Sequence, residues 1–284
     1  MFKNLNLGAL GFRAAFFETV ELAAATGFQG VDLDVYEMEN VLKTKSVEEI
    51  KTLLVQRKLR FGGWGLPVNF RGDDEVFQKE LERLPMQAQM ASGLGCFRVF
   101  TWIMPFSDTL PYKENFELHV ERLGAVAEIL DKYGCVLGLE FVGPKTSRIN
   151  HKYEFIHTME EIFELRDAMG AKNVGLLLDC WHWYTSHGTI AQLEQLKGKD
   201  VVYVHVNDAP PGIAVDEQID SVRRLPGETG VIDIAGFLNA MKQIGYDGPV
   251  TPEPFDKKLK ELPVETAVKT VSEALDKVWK KAGL

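Results

Sequence analysis

Four side chains in the second half of the chain have the types from which a cation site is built. Glu140, Asp179 and Glu253 each close a short apolar run: Val136-Leu137-Gly138-Leu139-Glu140, Val174-Gly175-Leu176-Leu177-Leu178-Asp179 and Pro249-Val250-Thr251-Pro252-Glu253. His205 lies in Val201-Val202-Tyr203-Val204-His205-Val206-Asn207-Asp208, where Val202, Val204 and Val206 alternate with Tyr203, His205 and Asn207. Side chains alternate between the two faces of a strand, so the valines are expected to meet helices while His205 looks into a cavity. Gly138 and Gly175 fall on the same face as the acids that follow them, which leaves room beside the carboxylates. Three carboxylates and a neutral imidazole suit a divalent cation, Mn²⁺ first, with Mg²⁺, Co²⁺ or Zn²⁺ as alternatives. Without a cation or a proton, three inward carboxylates would repel one another. Taken singly, each residue has an ordinary alternative. Asp179 can cap the turn that follows it, the glutamates can pair with basic side chains, and His205 can be a hydrogen-bonded core histidine.

The four converge only if their strands end side by side. Strand-like stretches over 4–10, 30–35, 60–66, 97–102, 136–141, 174–179, 201–208 and 249–253 alternate with helix-like stretches over 14–26, 46–58, 73–91, 111–133, 158–169, 189–196, 234–244 and 264–281. Ser46 with Glu49 has the spacing of a capping box at the start of one helix. Strict alternation implies a parallel sheet, and eight units close into a (β/α)8 TIM barrel, here one α/β domain over 1–284. The rival, an open doubly wound sheet binding a dinucleotide, lacks its glycine fingerprint: the first turn reads Leu10-Gly11-Phe12-Arg13. In a barrel the carboxyl ends of the strands carry the active site. Glu140, Asp179, His205 and Glu253 would then come from strands five to eight.

Composition narrows the partners. With 284 residues, 45% hydrophobic and 26% charged, the chain can bury the core of one barrel. A net charge of −9 argues against nucleic acid, whose binding relies on lysine and arginine, and suits a small carbohydrate better. No run of about 18 apolar residues suggests a membrane span, and the amino terminus shows no signal-peptide pattern. Cys96, Cys135 and Cys180, odd in number and without Cys-x-x-Cys spacing, point to reduced thiols and a cytoplasmic setting. Cys180 is expected to point outward into the core.

Five stretches carry a resemblance: Gly138-Leu139-Glu140, Leu178-Asp179-Cys180-Trp181-His182, Val204-His205-Val206-Asn207-Asp208, Leu225-Pro226-Gly227-Glu228-Thr229-Gly230 and Tyr246-Asp247-Gly248-Pro249-Val250-Thr251-Pro252-Glu253. Together they resemble the xylose-isomerase-like TIM-barrel group of sugar and sugar-phosphate isomerases and epimerases, which includes tagatose/psicose 3-epimerases, hydroxypyruvate isomerase and inosose-metabolising enzymes. The resemblance implies a metal held by Glu140, Asp179, His205 and Glu253, with His182 near the substrate. It also implies that Glu140 and Glu253 serve as the acid–base pair around a metal-stabilised enediolate. Members often form dimers or tetramers, which leaves a homo-oligomer open. The amino-terminal half matches only in rhythm.

The chain departs from the epimerases where they carry an arginine six residues after the metal histidine, here Pro211, and an acid six after the first glutamate, here Thr146. Lys145, Arg148, Arg223 and Arg224 are the loop cations that would meet an anionic substrate in their place. Trp64, Trp102 and Trp181 fall near strand ends, where an aromatic wall would suit a sugar ring. The loop Ala209 to Gly230, with Pro210-Pro211-Gly212 at one end and Gly227 and Gly230 at the other, reads as a cover over the site. The expected activity is isomerisation or epimerisation of a small carbohydrate or polyol derivative. A dehydratase using the same site and a non-catalytic sugar-binding or scaffold protein are the alternatives, because fold does not fix function. A multi-zinc endonuclease would need further histidines and a basic groove.

Overall fold

The computed structural model describes residues 1–284. Its parallel strands form a closed ring of eight staves: β1 (Phe2–Leu5), β2 (Gly30–Val31), β3 in two pieces (Arg60–Phe61 and Trp64–Gly65), β4 (Arg98–Trp102), β5 (Val136–Glu140), β6 (Val174–Asp179), β7 (Val201–Val206) and β8 (Pro249–Pro252). Each stave pairs with the next in parallel, and β8 returns to β1 with Phe2 opposite Pro249. The third stave joins the two halves of the ring, since Arg60–Phe61 pairs with β2 and Trp64–Gly65 with β4. Between the pieces, a side chain at Gly62 would collide with the Asn4 amide inside the barrel.

Ten helices accompany the staves: α1 (Phe16–Ala25), α2 (Val35–Val41), α3 (Val47–Gln56), α4 (Asp74–Gly93), α5 (Tyr112–Asp131), α6 (Met159–Met169), α7 (Cys180–Thr185), α8 (Ile190–Leu193), α9 (Ile234–Gln243) and α10 (Val264–Lys281). The longer ones are amphipathic. In α10, Ala267, Val268, Val271, Ala274, Leu275 and Val278 recur at helical spacing and are buried. Ser46 and Glu49 form the expected capping box at α3, as do Thr158 and Glu161 at α6.

Three departures from the sequence reading have local causes. The first strand stops at Leu5, not Leu10, because Asn6 accepts from the Ala9 N–H and residues 7–11 turn back on themselves. The second shortens to Gly30–Val31 because Asp34 accepts from the amides of Tyr36 and Glu37 and starts α2 there. The seventh carries a bulge between Val201 and Tyr203. Val202 therefore turns inward rather than outward, against Gly138 and Gly175, where an added Cβ would come within 3.1 Å of it. The two glycines make room for Val202, not for the acids.

Below the strand ends, a polar network spans the barrel. Tyr203 Oη donates to Asp32 Oδ2 (2.6 Å) and accepts from Thr251 Oγ1 (2.6 Å). Asn4 Nδ2 lies within 2.9–3.0 Å of Asp32, Tyr203 and Thr251, and the Gly63 N–H donates to Asp32 Oδ1.

Candidate metal centre

Glu140 ends β5, Asp179 ends β6, His205 is the penultimate residue of β7, and Glu253 directly follows β8. Parallel register sets His205 level with both Asp179 and Thr251, so neighbouring staves deliver their last inward side chains to one height. The four offer one ligand atom each within 4.8 Å of one another. His205 Nδ1 lies 3.2 Å from Glu140 Oε1 and 3.6 Å from Glu253 Oε2. His205 Nε2 is buried without any hydrogen-bond partner. Asp179 fills its capping role as well: Oδ1 accepts from the Trp181 N–H at the start of α7 and from Asn207 Nδ2. Oδ2 remains for the cluster.

Burial pushes the Glu140 carboxyl up to about 7, its hydrogen bond with His205 opposing the shift. Burial likewise raises Glu253, with His205 and Arg223 opposing. For His205, burial works against the charged ring, but Glu253 and Glu140 outweigh it and hold its value at about 9. Burial would also raise Asp179, yet Arg223, then His182 and His205, bring it below the ordinary aspartate value. In this form the cluster's negative charge is balanced by a guanidinium and a protonated imidazole.

That guanidinium belongs to Arg223, which the sequence places on an exposed loop. It is instead 1% exposed. Nη1 donates to Asp179 Oδ2 (2.7 Å) and Glu253 Oε2 (2.9 Å), Nη2 donates to Asp220 Oδ1 (2.8 Å), and the plane rests on Phe255. Asp220 and Asn207 are partners the motif reading did not single out. Asn207 stood on the polar face of its strand, whereas nothing in the sequence ties Asp220 to a site about forty residues away in the chain from Asp179. The long loop is anchored rather than free. Asp208 accepts from the amides of Ala209, Thr229, Gly230 and Ile232, and its backbone exchanges two hydrogen bonds with Arg224.

His182 lies beside the cluster, its Nδ1 accepting from the Gly143 N–H and its Nε2 3.3 Å from Arg223 Nη2. Burial lowers it to about 4, so the ring is neutral. Trp181 is wholly enclosed beneath Arg223 and presents no free face for a sugar, and Trp64 is equally buried. Trp102, opposite Glu140 across the β4–β5 pair, is 41% exposed at the mouth. Lys145 is held by Asp216, Arg148 by Glu154, and Arg224 donates to the Arg223 carbonyl. Cys180 is buried and bonds to the Asn207 backbone, as suits a core thiol. Next to the cluster, a cavity of about 580 Å³ opens over the ends of β1–β4, lined by Asn6, Phe12, Asp32, Tyr36 and Phe100 among others. Phe100 is the shared wall, its ring 6.4 Å from that of His205.

The donors fit a divalent cation. Three carboxylates gathered at one buried imidazole, whose Nδ1 faces Glu140 and Glu253 and whose Nε2 has no partner, are what such an ion neutralises and satisfies. An ion using Asp179 Oδ2 and Glu253 Oε2 would share them with Arg223.

A closed ring of eight parallel staves with acids and a histidine gathered at the carboxyl ends defines a TIM-barrel protein with a candidate cation site at the strand ends. The chain belongs to the family described as xylose isomerase-like TIM barrel, whose model matches residues 20–278. It is 32% identical over 269 residues to an inosose isomerase of Bacillus velezensis, covering 93% of this chain and 92% of that one. It is 24% identical over 249 residues to a 3-dehydroshikimate dehydratase of Pseudomonas putida, covering 87% of this chain but 37% of that longer protein. A xylose isomerase domain protein from Alicyclobacillus acidocaldarius superimposes with a TM-score of 0.88 at 30% identity, each chain covered over 100% of its length. No helix is long and apolar enough to cross a membrane.

Proposed function

We propose that this protein is a divalent-metal-dependent isomerase or epimerase of a small carbohydrate or polyol derivative. The observation that carries the reading is the convergence of Glu140, Asp179, His205 and Glu253, which offer one ligand atom each within 4.8 Å of one another. These four residues would hold the ion, Mn²⁺ first, and a bound divalent cation acidifies the C–H beside a carbonyl by drawing charge from the oxygens. The chain's own work is proton transfer. One of Glu140 and Glu253 removes the proton and the other returns it, from opposite sides of the substrate carbon. Both carboxyls are buried at the strand ends, and in the metal-free protein burial raises each above the ordinary glutamate value. Neutral His182 and Arg223 stand beside the pair and orient substrate oxygens, with Trp102 as a wall at the mouth and Arg224 and Lys145 farther out on the loops.

The dehydratase reading draws on the 3-dehydroshikimate dehydratase relative. It uses the same proton removal but expels a β-hydroxyl. A ketose and inosose panel with 3-dehydroshikimate added, incubated in D₂O with Mn²⁺, separates the readings. Deuterium next to the carbonyl in a product of unchanged composition is expected. Loss of water identifies the dehydratase, and no exchange with any compound refutes both.

A further inference from the structure

Arg71 stands apart from the other arginines on the carboxyl-end rim. It follows β3, and its guanidinium carbon lies 4.3 Å from the centre of the Phe70 ring and 4.2 Å from that of Trp102. Nε and Nη2 are enclosed and bond to nothing. Arg148 and Arg223, by contrast, meet Glu154 and the acid cluster. Burial lowers Arg71 to about 10, with no carboxylate opposing the shift. A desolvated cation without a counter-charge is costly, and stacking on aromatic faces offsets only part of the cost. Nε–H and Nη2–H form the side edge through which arginine grips a carboxylate with two parallel bonds, and because both are covered in the free protein the neighbouring side chains would part to admit it.

Position connects this group to the site. Trp102 sits opposite Glu140 across a parallel pair, so both side chains leave the sheet on the same inward face. A guanidinium stacked on Trp102 therefore lies on the carboxyl-end rim, beside the residue that faces Glu140 across the sheet.

Resting on the proton-transfer function above, we infer that the substrate carries a carboxylate and that Arg71, held between Phe70 and Trp102, receives it. The compound is then a keto acid, either a cyclic one or a sugar acid, rather than a neutral ketose or inosose. One guanidinium supplies a single positive charge, which matches a monoanionic carboxylate better than a dianionic phosphate.

The test is calorimetric affinity of the Mn²⁺-supplied protein for matched compounds: 3-dehydroshikimate and its methyl ester, D-fructuronate and D-fructose, with D-fructose 6-phosphate alongside. In at least one pair the acid is expected to bind about tenfold or more tighter than its neutral counterpart, the scale of one charge-assisted hydrogen bond. Arg71→Met should bring that ratio towards one. Arg71→Lys, which keeps the charge but loses the fork and the stacking, should retain part of it, and serves alone if the methionine variant does not fold. No preference in either pair overturns the inference, as does a preference undiminished in the folded variants. Tightest binding of the phosphate overturns the assignment to a carboxylate. Calorimetry needs no turnover, so the two proposals fail separately. Arg71-dependent binding of acids without deuterium exchange removes the proton-transfer reading alone, whereas exchange on neutral sugars without charge preference removes this one alone.

Discussion

Two polar clusters are buried inside the same barrel, one above the other, and they are finished to different degrees. In the lower, Asn4, Asp32, Tyr203 and Thr251 bond to one another across the ring and only Asn4 Oδ1 lacks a partner. In the upper, Asp179 and Glu253 share one arginine, Glu140 has only His205, and the other nitrogen of that imidazole faces nothing. A satisfied buried network fixes a structure, while one that leaves a ligand nitrogen unanswered is made for something not part of the chain. The contrast is sharper because Tyr203 and His205 are two residues apart on one strand face.

The largest expected effect comes from removing the ion from the upper cluster. Chelation should abolish activity and lower the melting temperature, both restored by Mn²⁺, because a ligand held only by the folded state stabilises it. His205→Ala should show the same loss without chelator. Metal content in that variant equal to the parent's would make the unpartnered nitrogen irrelevant and erase the contrast.

Next in size, Glu140→Gln and Glu253→Gln keep an oxygen ligand but no base. Each is expected to retain metal and lose substrate proton exchange by about a hundredfold or more. Exchange at the parental rate in either variant would reduce that residue to a ligand.

The upper cluster should also respond to pH in a way the lower one does not. An ion needs Glu140 and His205 deprotonated, and in the metal-free protein these titrate at about 7 and about 9. Both values lie above the ordinary 4.5 and 6.5, so the folded metal-free protein holds extra protons and their contribution to stability falls as pH rises through this window. Metal affinity and the thermal shift on adding Mn²⁺ should therefore both increase between pH 6 and pH 9, roughly tenfold in affinity per pH unit for each proton displaced. A flat titration would contradict the sign.

Tyr203→Phe probes the lower cluster and should have the smallest effect on chemistry. It leaves Asp32, which burial raises to about 6, without its phenolic donor. We expect a loss of about 1–3 kcal/mol in urea denaturation, with metal content unchanged. Loss of metal instead would mean that the two clusters act as one.

The convergence of the upper cluster was legible in the sequence because its three acids each end a short apolar run and His205 stands on the polar face of an alternating one, patterns local to the chain. What was not legible depended on distant contacts. The Val202 bulge answers to two glycines on other strands, Arg223 reaches its acids by folding a long loop inward, and Arg71 acquires meaning only from Trp102 on the next strand. In the first half, Asn6 and Asp34 ended strands that hydropathy alone would have continued, since a single side-chain cap outweighs a few apolar residues there.

The pairing of the last stave with the first has a consequence for how the protein is made. Residues 2 and 249 must meet before the sheet has no edge, a contact among the most distant in the chain and so among the slowest in entropic terms to form. Glu253 comes four residues later. A nascent chain emerging from the ribosome can thus assemble three of the four candidate ligands and still have an open sheet, and the fourth arrives only with the segment that seals it. On the proposed metal role, tight capture of the ion would report that the ring of staves has closed.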